Sequence, residues 1–245
     1  MEKNIIKLQS LVRGFIQRRK KVIEPCNFEN LIFIDCKKLR CIIKNDYLTP
    51  SRIEYYNSTS TTNYNLEDGF IEYITTKAVG GKKVSDGNSP IDIINEEYKI
   101  GLDITCLCCN SQQTNEKSIM QNFSVSGNNL DTLFATEQLH EATYLYKKDY
   151  HRKMVQALKK YNLNNIYYLV YISIGSTIYL SLFKLNICAI VNIRNSGLTL
   201  QKKSIIFLNF IDSRYGETKL YKSKKRLELR FNKKIIKTSN TIQIY

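Results

Sequence analysis

The chain has 245 residues, of which 43% are hydrophobic, so it is long enough for one full-sized domain with a core and too apolar to be a disordered chain. Its 37 Lys and Arg residues outnumber its 22 Asp and Glu residues, and the formal charge of +15 favours a polyanionic partner: nucleic acid, an anionic membrane or an acidic protein. No apolar run reaches the length of a membrane span, and the first 21 residues carry charge throughout, so we expect no membrane association through a spanning helix and no secretory signal.

The first predicted element is a basic amphipathic helix over residues 4–22. Its apolar residues recur at helical spacing, arginines and lysines lie behind them, and Glu24-Pro25 ends the pattern. Asn65 can then cap a second helix from Leu66 to Ala78, which the Gly80-Gly81 pair ends.

A β-hairpin is predicted next. Ile91 to Ile94 form its first strand, Asn95 to Glu97 its turn, and Tyr98 to Leu107 its second strand. Beyond it, Ser118 to Phe123 have a helical pattern, and a longer helical region from about Leu130 to Tyr161 is expected in two pieces.

The last third of the chain has the pattern of β-strands, because period 2 and β-branched residues dominate from Ile166 onward. The predicted strands are Ile166–Ile174, Ile178–Leu185, Ile187–Ile193, Ser204–Ile211, Arg226–Phe231 and Thr241–Tyr245. Helices, a hairpin, more helices and then a run of strands predict an α+β fold. We expect a basic N-terminal helix at residues 1–24 and one domain at residues 25–245.

Two aspartates lie on the predicted hairpin. If the turn centres between Glu97 and Tyr98, Asp92 stands opposite Asp103, with both side chains on one face and their Cβ atoms roughly 5 Å apart. Adjacent carboxylates repel one another unless a cation lies between them, and hard oxygen ligands suit Mg²⁺. Since bound Mg²⁺ polarises a phosphoryl oxygen and activates water, the pair predicts a site that cuts phosphodiesters. The alternative, which the pattern leaves equally open, is two surface aspartates on a half-buried strand.

The segment from Asp86 to Phe123 resembles the PD-(D/E)XK nuclease superfamily and is similar to type II restriction endonucleases. In that superfamily a helix supplies a glutamate, a strand supplies the first aspartate, and the next strand supplies an acid-x-lysine. The resemblance places the three acids at Glu72, Asp92 and Asp103, with Mg²⁺ held by the two aspartates. It implies a restriction-endonuclease-like mixed sheet flanked by helices, and a homodimer that cuts double-stranded DNA.

The lysine position departs from the superfamily pattern, because Thr105 stands two residues after Asp103. Lys117, at the head of the next predicted helix, is the candidate for the lysine role. A rival register would use Glu97-Tyr98-Lys99 as the acid-x-lysine. Only four residues would then separate Asp92 from Glu97, and the two acids would no longer face each other across two strands.

Arg214 to Lys237 contains ten basic residues and two acids, with three aromatic residues between them. This composition favours contact with DNA phosphates, and the strongest candidates are Lys222, Lys224, Lys225 and Arg226. The alternative is a solvated strand face. The pair Lys147-Lys148 is equally well explained as an exposed helix surface.

The N-terminal helix resembles the IQ motif, which binds calmodulin and related EF-hand proteins. The matching residues are Leu8, Gln9, Arg13, Gly14 and Arg18. A basic amphipathic helix fits the groove of an acidic EF-hand lobe. The alternative is a basic arm that docks on the domain or on DNA.

The sequence therefore predicts a Mg²⁺-dependent DNA endonuclease. Two alternatives stay open: a calmodulin-binding interaction protein with an inactive nuclease-like core, and a nucleic-acid binder without catalytic activity. The seven cysteines, an odd number, predict free thiols in a reducing intracellular compartment, either cytoplasm or nucleus.

Overall fold

The computed structural model describes residues 21–26, 33–49, 53, 66–84, 89–108, 117–122, 128–193, 197–201, 204–207, 210–212, 215–221, 226–231 and 241–244. The residues of the IQ-like segment, the predicted cap Asn65 and the three candidate DNA-contacting lysines, Lys222, Lys224 and Lys225, lie outside these ranges. Within these ranges, no helix is both long enough and apolar enough to cross a membrane.

The chain divides into two compact units, each assembled from distant segments. One, called the site unit below, comprises Pro25–Ile119, Val155–Leu185 and Arg230–Tyr245. The other, called the second unit, comprises Met1–Glu24, Met120–Met154 and Asn186–Leu229.

The described helices are α1 (Cys36–Ile42), α2 (Asp68–Val79), α3 (Asn128–Ala135), α4 (Leu139–Lys160) and α5 (Ile187–Asn192). Helix α2 confirms the helix predicted from Leu66 to Ala78, and α3 and α4 confirm the helical region predicted in two pieces. Helix α2 ends at Gly80, whose φ of 67° is left-handed and is adopted by glycine without strain. Helix α1 begins after Asp35, whose carboxylate accepts a hydrogen bond from the Lys38 amide, and a π-helical turn at Ile43–Tyr47 continues it.

The strands form two sheets, one mixed and one in which the described pairings are antiparallel. The described strands are β1 (Ile23–Pro25), β2 (Lys82–Lys83), β3 (Ile93–Asn95), β4 (Ile100–Cys108), β5 (Lys117–Asn122), β6 (Asn165–Ile174), β7 (Thr177–Leu185), β8 (Thr199–Gln201), β9 (Ser204–Phe207), β10 (Gly216–Tyr221), β11 (Arg226–Phe231) and β12 (Thr241–Gln243). The larger sheet has the order β1-β7-β6-β4-β3-β2, with β12 also paired to β7, and the smaller has the order β5-β11-β10-β9-β8. The α+β fold class is confirmed at this level.

In the larger sheet, β4 and β6 run parallel, and the other described pairings are antiparallel. Helix α4 connects to β6, and a parallel pair of strands needs a long connection of this kind. The strand order places β4 and β6 at the centre of the sheet. Strands β2 and β3 extend this sheet from β4.

Helix α2 packs on one face of the larger sheet. Its buried Ile71 and Ile74 belong to the same apolar cluster as Leu102 of β4 and Leu169 of β6. In addition, Thr75 Oγ1 lies 2.7 Å from the hydroxyl oxygen of Tyr171 on β6, and both groups are buried. These contacts fix the helix that carries Glu72 against the strand that carries Asp103.

Two predicted elements are wrong. Lys117–Asn122 form strand β5 rather than a helix, because they pair with β11, a partner too distant in sequence for local periodicity to indicate. Ile187–Asn192 form helix α5 rather than a strand. A short apolar run fits either structure, and here the Ile193 amide donates to the Ala189 carbonyl at 2.9 Å with helical spacing.

Among the described residues of the second unit, a lysine of helix α4 is buried. Lys147 on α4 is 5% exposed, and its Nζ donates a hydrogen bond of 2.7 Å to the Ile193 carbonyl, just after α5. Burial lowers the pKa of Lys147 below its ordinary value, because the charged amine is removed from water. The interpretation of Lys147 as exposed helix surface is wrong, whereas Lys148 is exposed as expected.

Replacing Lys147 with methionine is expected to remove a pH dependence of stability. With a folded pKa below the unfolded value of 10.5, the unfolded state binds more protons between the two values. The wild-type free energy of unfolding should therefore rise with pH in that window, relative to Lys147→Met. Urea unfolding of both proteins from pH 7 to 10.5 measures this, and Lys148→Met should follow the wild type. A gap between wild type and Lys147→Met that stays constant with pH would contradict the prediction.

Candidate active site

The hairpin that carries the predicted acids has the predicted register. Ile93 faces Leu102, Ile94 faces Gly101 and Asn95 faces Ile100. The turn spans residues 96–99, and the Asn95 side chain stabilises it by accepting a hydrogen bond of 2.8 Å from the Tyr98 amide.

At Asp92 the pairing shifts by one residue. The Asp92 amide donates to the Leu102 carbonyl at 2.8 Å, although Leu102 already faces Ile93. Two residues of one strand thus oppose one residue of the other, which is the arrangement of a β-bulge. The expected direct pairing of Asp92 with Asp103 is wrong at this step, because the bulge turns Asp92 out of the regular alternation.

The bulge holds the Asp92 carboxylate along the edge of β4. Its Oδ2 accepts a hydrogen bond of 2.7 Å from the amide of Ile104, which lies on β4 two residues beyond Leu102. Both the amide of Asp92 and one of its carboxylate oxygens are therefore held by β4. A carboxylate fixed in this way is oriented before any ligand binds.

Helix α2 and strand β2 bring two further charged groups to Asp92. Glu72 lies on α2, and its Oε2 is buried and forms an ion pair with Lys83 Nζ. Lys83 faces Ile93 in the β2–β3 pairing, and the Val84 amide donates to the Asp92 carbonyl at 2.7 Å. The site thus gathers Glu72, Lys83 and Asp92 from three elements of the site unit.

In the part of the chain that the structure describes, negative charges outnumber positive charges around Asp92, because Glu72 and Asp68 act on it together with the single cation Lys83. Burial raises the pKa of Asp92, the Ile104 hydrogen bond lowers it, and the negative charges of Glu72 and Asp68 raise it further. Lys83 partly offsets these charges, and its charge-assisted contact with Glu72 raises its own pKa. The charged form of Asp92 is therefore disfavoured in the folded protein, and a cation placed beside it would favour that form.

Asp103 lies next to this group on β4 but at a different orientation. Leu102 and Ile104 pack in the cluster that α2 covers, so alternation along the strand points Asp103 to the opposite face. Its side chain is buried, with 9% of its surface exposed. The predicted role of Asp103 as a metal ligand beside Asp92 stays a prediction.

The other predicted lysine and arginine positions are described only in part. Lys117 begins strand β5 and Arg226 begins strand β11, and their side chains lie outside the described residues. The proposed lysine role of Lys117 and the DNA contact of Arg226 therefore stay predictions.

Lys83 is the functional candidate that sequence reasoning missed. It lies on a two-residue strand just after Gly80-Gly81, and so short a strand has no periodicity to read. The available signal was its position between the predicted Glu72 helix and the predicted Asp92 strand.

The described acids fit Mg²⁺ only as part of its ligand set. Within the described ranges, no group of three or more His, Cys, Asp and Glu side chains is arranged to hold a metal ion. Mg²⁺ commonly takes one or two carboxylates from the protein and completes its ligands with water and phosphate oxygens. Glu72 and Asp92 match that requirement.

Comparisons of the chain with protein-family models, with curated proteins and with solved structures found no match.

Proposed function

We propose that the protein is a Mg²⁺-dependent endonuclease that hydrolyses phosphodiester bonds in double-stranded DNA. The observation that carries the proposal is the Asp92 carboxylate, which is held by Ile104 and surrounded by Glu72 and Lys83. The order of the elements supports it as well: helix α2 with Glu72, then Asp92 before β3, then Asp103 on β4. This is the order that the resemblance to PD-(D/E)XK nucleases implies.

Asp92 and Glu72 would hold the metal. Bound Mg²⁺ supplies Lewis-acid polarisation of the phosphoryl oxygen and lowers the pKa of its water ligand. The protein's own contribution is orientation: the Ile104 amide holds Oδ2 of Asp92 and leaves the other oxygen for a ligand. The negative charges of Glu72 and Asp68 raise the pKa of Asp92, which shows that the three carboxylates repel one another. A bound dication would offset this repulsion.

The charge of the whole chain supports a nucleic-acid substrate. A formal charge of +15 favours phosphate contacts, while the local surroundings of Asp92 are acidic. Basic surface attracts the DNA backbone, and the acidic site concentrates divalent cations beside it. We expect binding to weaken steeply as salt is added, because phosphate contacts release counterions.

The direct test uses supercoiled plasmid. Purified protein with Mg²⁺ or Mn²⁺ is expected to convert it to nicked and linear forms on an agarose gel, and EDTA should abolish the conversion. Protein carrying Asp92→Asn, purified in the same way, shows whether a contaminating nuclease is responsible. Equal conversion by both proteins, or none with any divalent ion, would exclude this activity.

A second candidate function is DNA binding without catalysis. Thr105 favours it, because it stands where the superfamily has lysine and has no charge. This function predicts salt-sensitive DNA binding that persists when Asp92 and Asp103 are both changed to asparagine, with no cleavage by the wild type.

Two further proposals are separate from catalysis. Binding of calmodulin through the N-terminal segment would be tested by titrating a peptide of residues 1–24 with calmodulin. A homodimer would be tested by sedimentation of the purified protein.

A further inference from the structure

Lys83 is held in place by tight packing of β2 against β3. Lys82 faces Ile94 and Lys83 faces Ile93, and the Val84–Asp92 hydrogen bond continues the pairing toward the site. Gly81 leads directly into β2, and a Cβ there would lie 2.7 Å from the Ile94 carbonyl oxygen. The backbone at Lys83 therefore has a fixed position beside Asp92.

The two lysines of β2 have different partners. Successive side chains of a strand point to opposite faces, so only one of the two can face α2. Lys83 pairs with Glu72 of that helix, whereas Lys82 pairs with Glu96 of the hairpin turn at 2.9 Å. The chain thus contains a matched control: an adjacent lysine on the same strand, also ion-paired and also exposed.

The positive charge of Lys83 acts on both Glu72 and Asp92. Lys83 contacts Glu72 and also lowers the pKa of Asp92, and 62% of its side chain is exposed. A long, exposed side chain on a fixed backbone can exchange one partner for another at small cost. Thr105, in contrast, carries no charge.

We propose that Lys83 supplies the lysine of the active site, by neutralising Glu72 in the free protein and moving to the scissile phosphate when a divalent cation binds the acids. This inference rests on the proposed nuclease function and assigns a residue to it. Lys83 and the cation compete for Glu72, so the metal releases the ammonium as it binds. Lys83 would therefore become available to the phosphate only when the metal is bound.

The chemical role of the ammonium is charge neutralisation. In the hydrolysis, the oxygen of a water bonds to phosphorus, and one of its protons passes to solvent. The P–O bond to the leaving sugar oxygen breaks with its electron pair on that oxygen, which takes a proton from solvent. The Lys83 ammonium donates to a non-bridging phosphoryl oxygen as negative charge builds up there, and this lowers the barrier.

The test compares Lys83→Gln with Lys82→Gln in the full-length protein. Lys83→Gln is expected to lower the plasmid cleavage rate at saturating Mg²⁺ by about 100-fold, whereas Lys82→Gln should stay within about twofold of the wild type. Calorimetric titration with Mn²⁺ in the absence of DNA gives a second reading. Lys83→Gln should bind Mn²⁺ several-fold more tightly, because the competitor for Glu72 is gone, and Lys82→Gln should not.

The outcomes separate this inference from the proposed function. If the wild type cleaves DNA and both variants cleave at equal rates, the nuclease stands and the Lys83 assignment is overturned. If the wild type cleaves nothing, the nuclease proposal fails. The Mn²⁺ affinities of the wild type and Lys83→Gln then show whether Lys83 and the metal compete for Glu72. An affinity unchanged by Lys83→Gln would then overturn this inference too. Thermal unfolding of Lys83→Gln and Lys82→Gln serves as the check that both variants are folded.

Discussion

Replacing Asp92 with asparagine is expected to lower the rate of Mg²⁺-dependent DNA cleavage by about a thousandfold. A metal ligand contributes several kcal/mol of transition-state stabilisation, and each 1.36 kcal/mol is about tenfold in rate. Asparagine keeps the shape of the side chain and an oxygen that can accept the Ile104 hydrogen bond, so the loss would report charge rather than packing.

The same substitution is expected to leave stability unchanged or to raise it. Burial and the negative charges of Glu72 and Asp68 raise the pKa of Asp92, so the charged form is disfavoured in the folded state. A folded pKa above the unfolded one means that the folded state binds more protons in that window, and stability falls as pH rises through it. At pH 7 the neutral amide avoids this penalty.

Two measurements together decide the role of Asp92. Cleavage kinetics at pH 7 give the activity, and thermal unfolding of the same samples gives the stability. Glu96→Gln is the control, because Glu96 is an exposed acid of the same hairpin that pairs with Lys82. An Asp92→Asn protein that is inactive and also clearly less stable would point to misfolding and count against the assignment.

Replacing Leu102 with alanine is expected to lower the free energy of unfolding by about 2–5 kcal/mol, which is the range for deleting a buried leucine side chain. Leu102 is fully buried, faces Ile93 across the hairpin and lies beside Tyr167 of the parallel strand β6. Its carbonyl also accepts the Asp92 amide. A cavity here would therefore weaken both the sheet and the support of the site.

Urea unfolding followed by circular dichroism measures this effect. Tyr73→Ala on helix α2 is the comparison, because Tyr73 is large and apolar but 52% exposed, and its truncation should change the free energy of unfolding by less than about 1 kcal/mol. If Leu102→Ala were no more destabilising than Tyr73→Ala, Leu102 would not hold the position in the core that the structure assigns to it.

Several parts of the fold were predictable because their signals are local. The Gly80 end of helix α2 follows from the left-handed conformation that glycine adopts, and the break of the long helical region into α3 and α4 follows from its apolar pattern. The register of Ile93 to Asn95 against Ile100 to Leu102 follows from the turn position alone. Glu72 on a helix and Asp103 on a strand were also predictable from periodicity.

Other features depend on contacts between distant parts of the chain. Strand β5 has a helical pattern but pairs with β11, and Lys147 belongs to a basic run but is buried with its amine on the Ile193 carbonyl. Local propensity is weak beside such contacts, so tertiary structure overrides it.

The sequence by itself determined which acids and which hairpin build the candidate site, because residue type and period are properties of a short stretch of chain. Only the tertiary structure decided how those acids are grouped. The bulge at Asp92 breaks the alternation that would pair it with Asp103, and the packing of α2 and β2 brings Glu72 and Lys83 to it instead. A one-residue shift in a ladder depends on the hydrogen bonds of the assembled sheet, and no periodicity in the sequence records it.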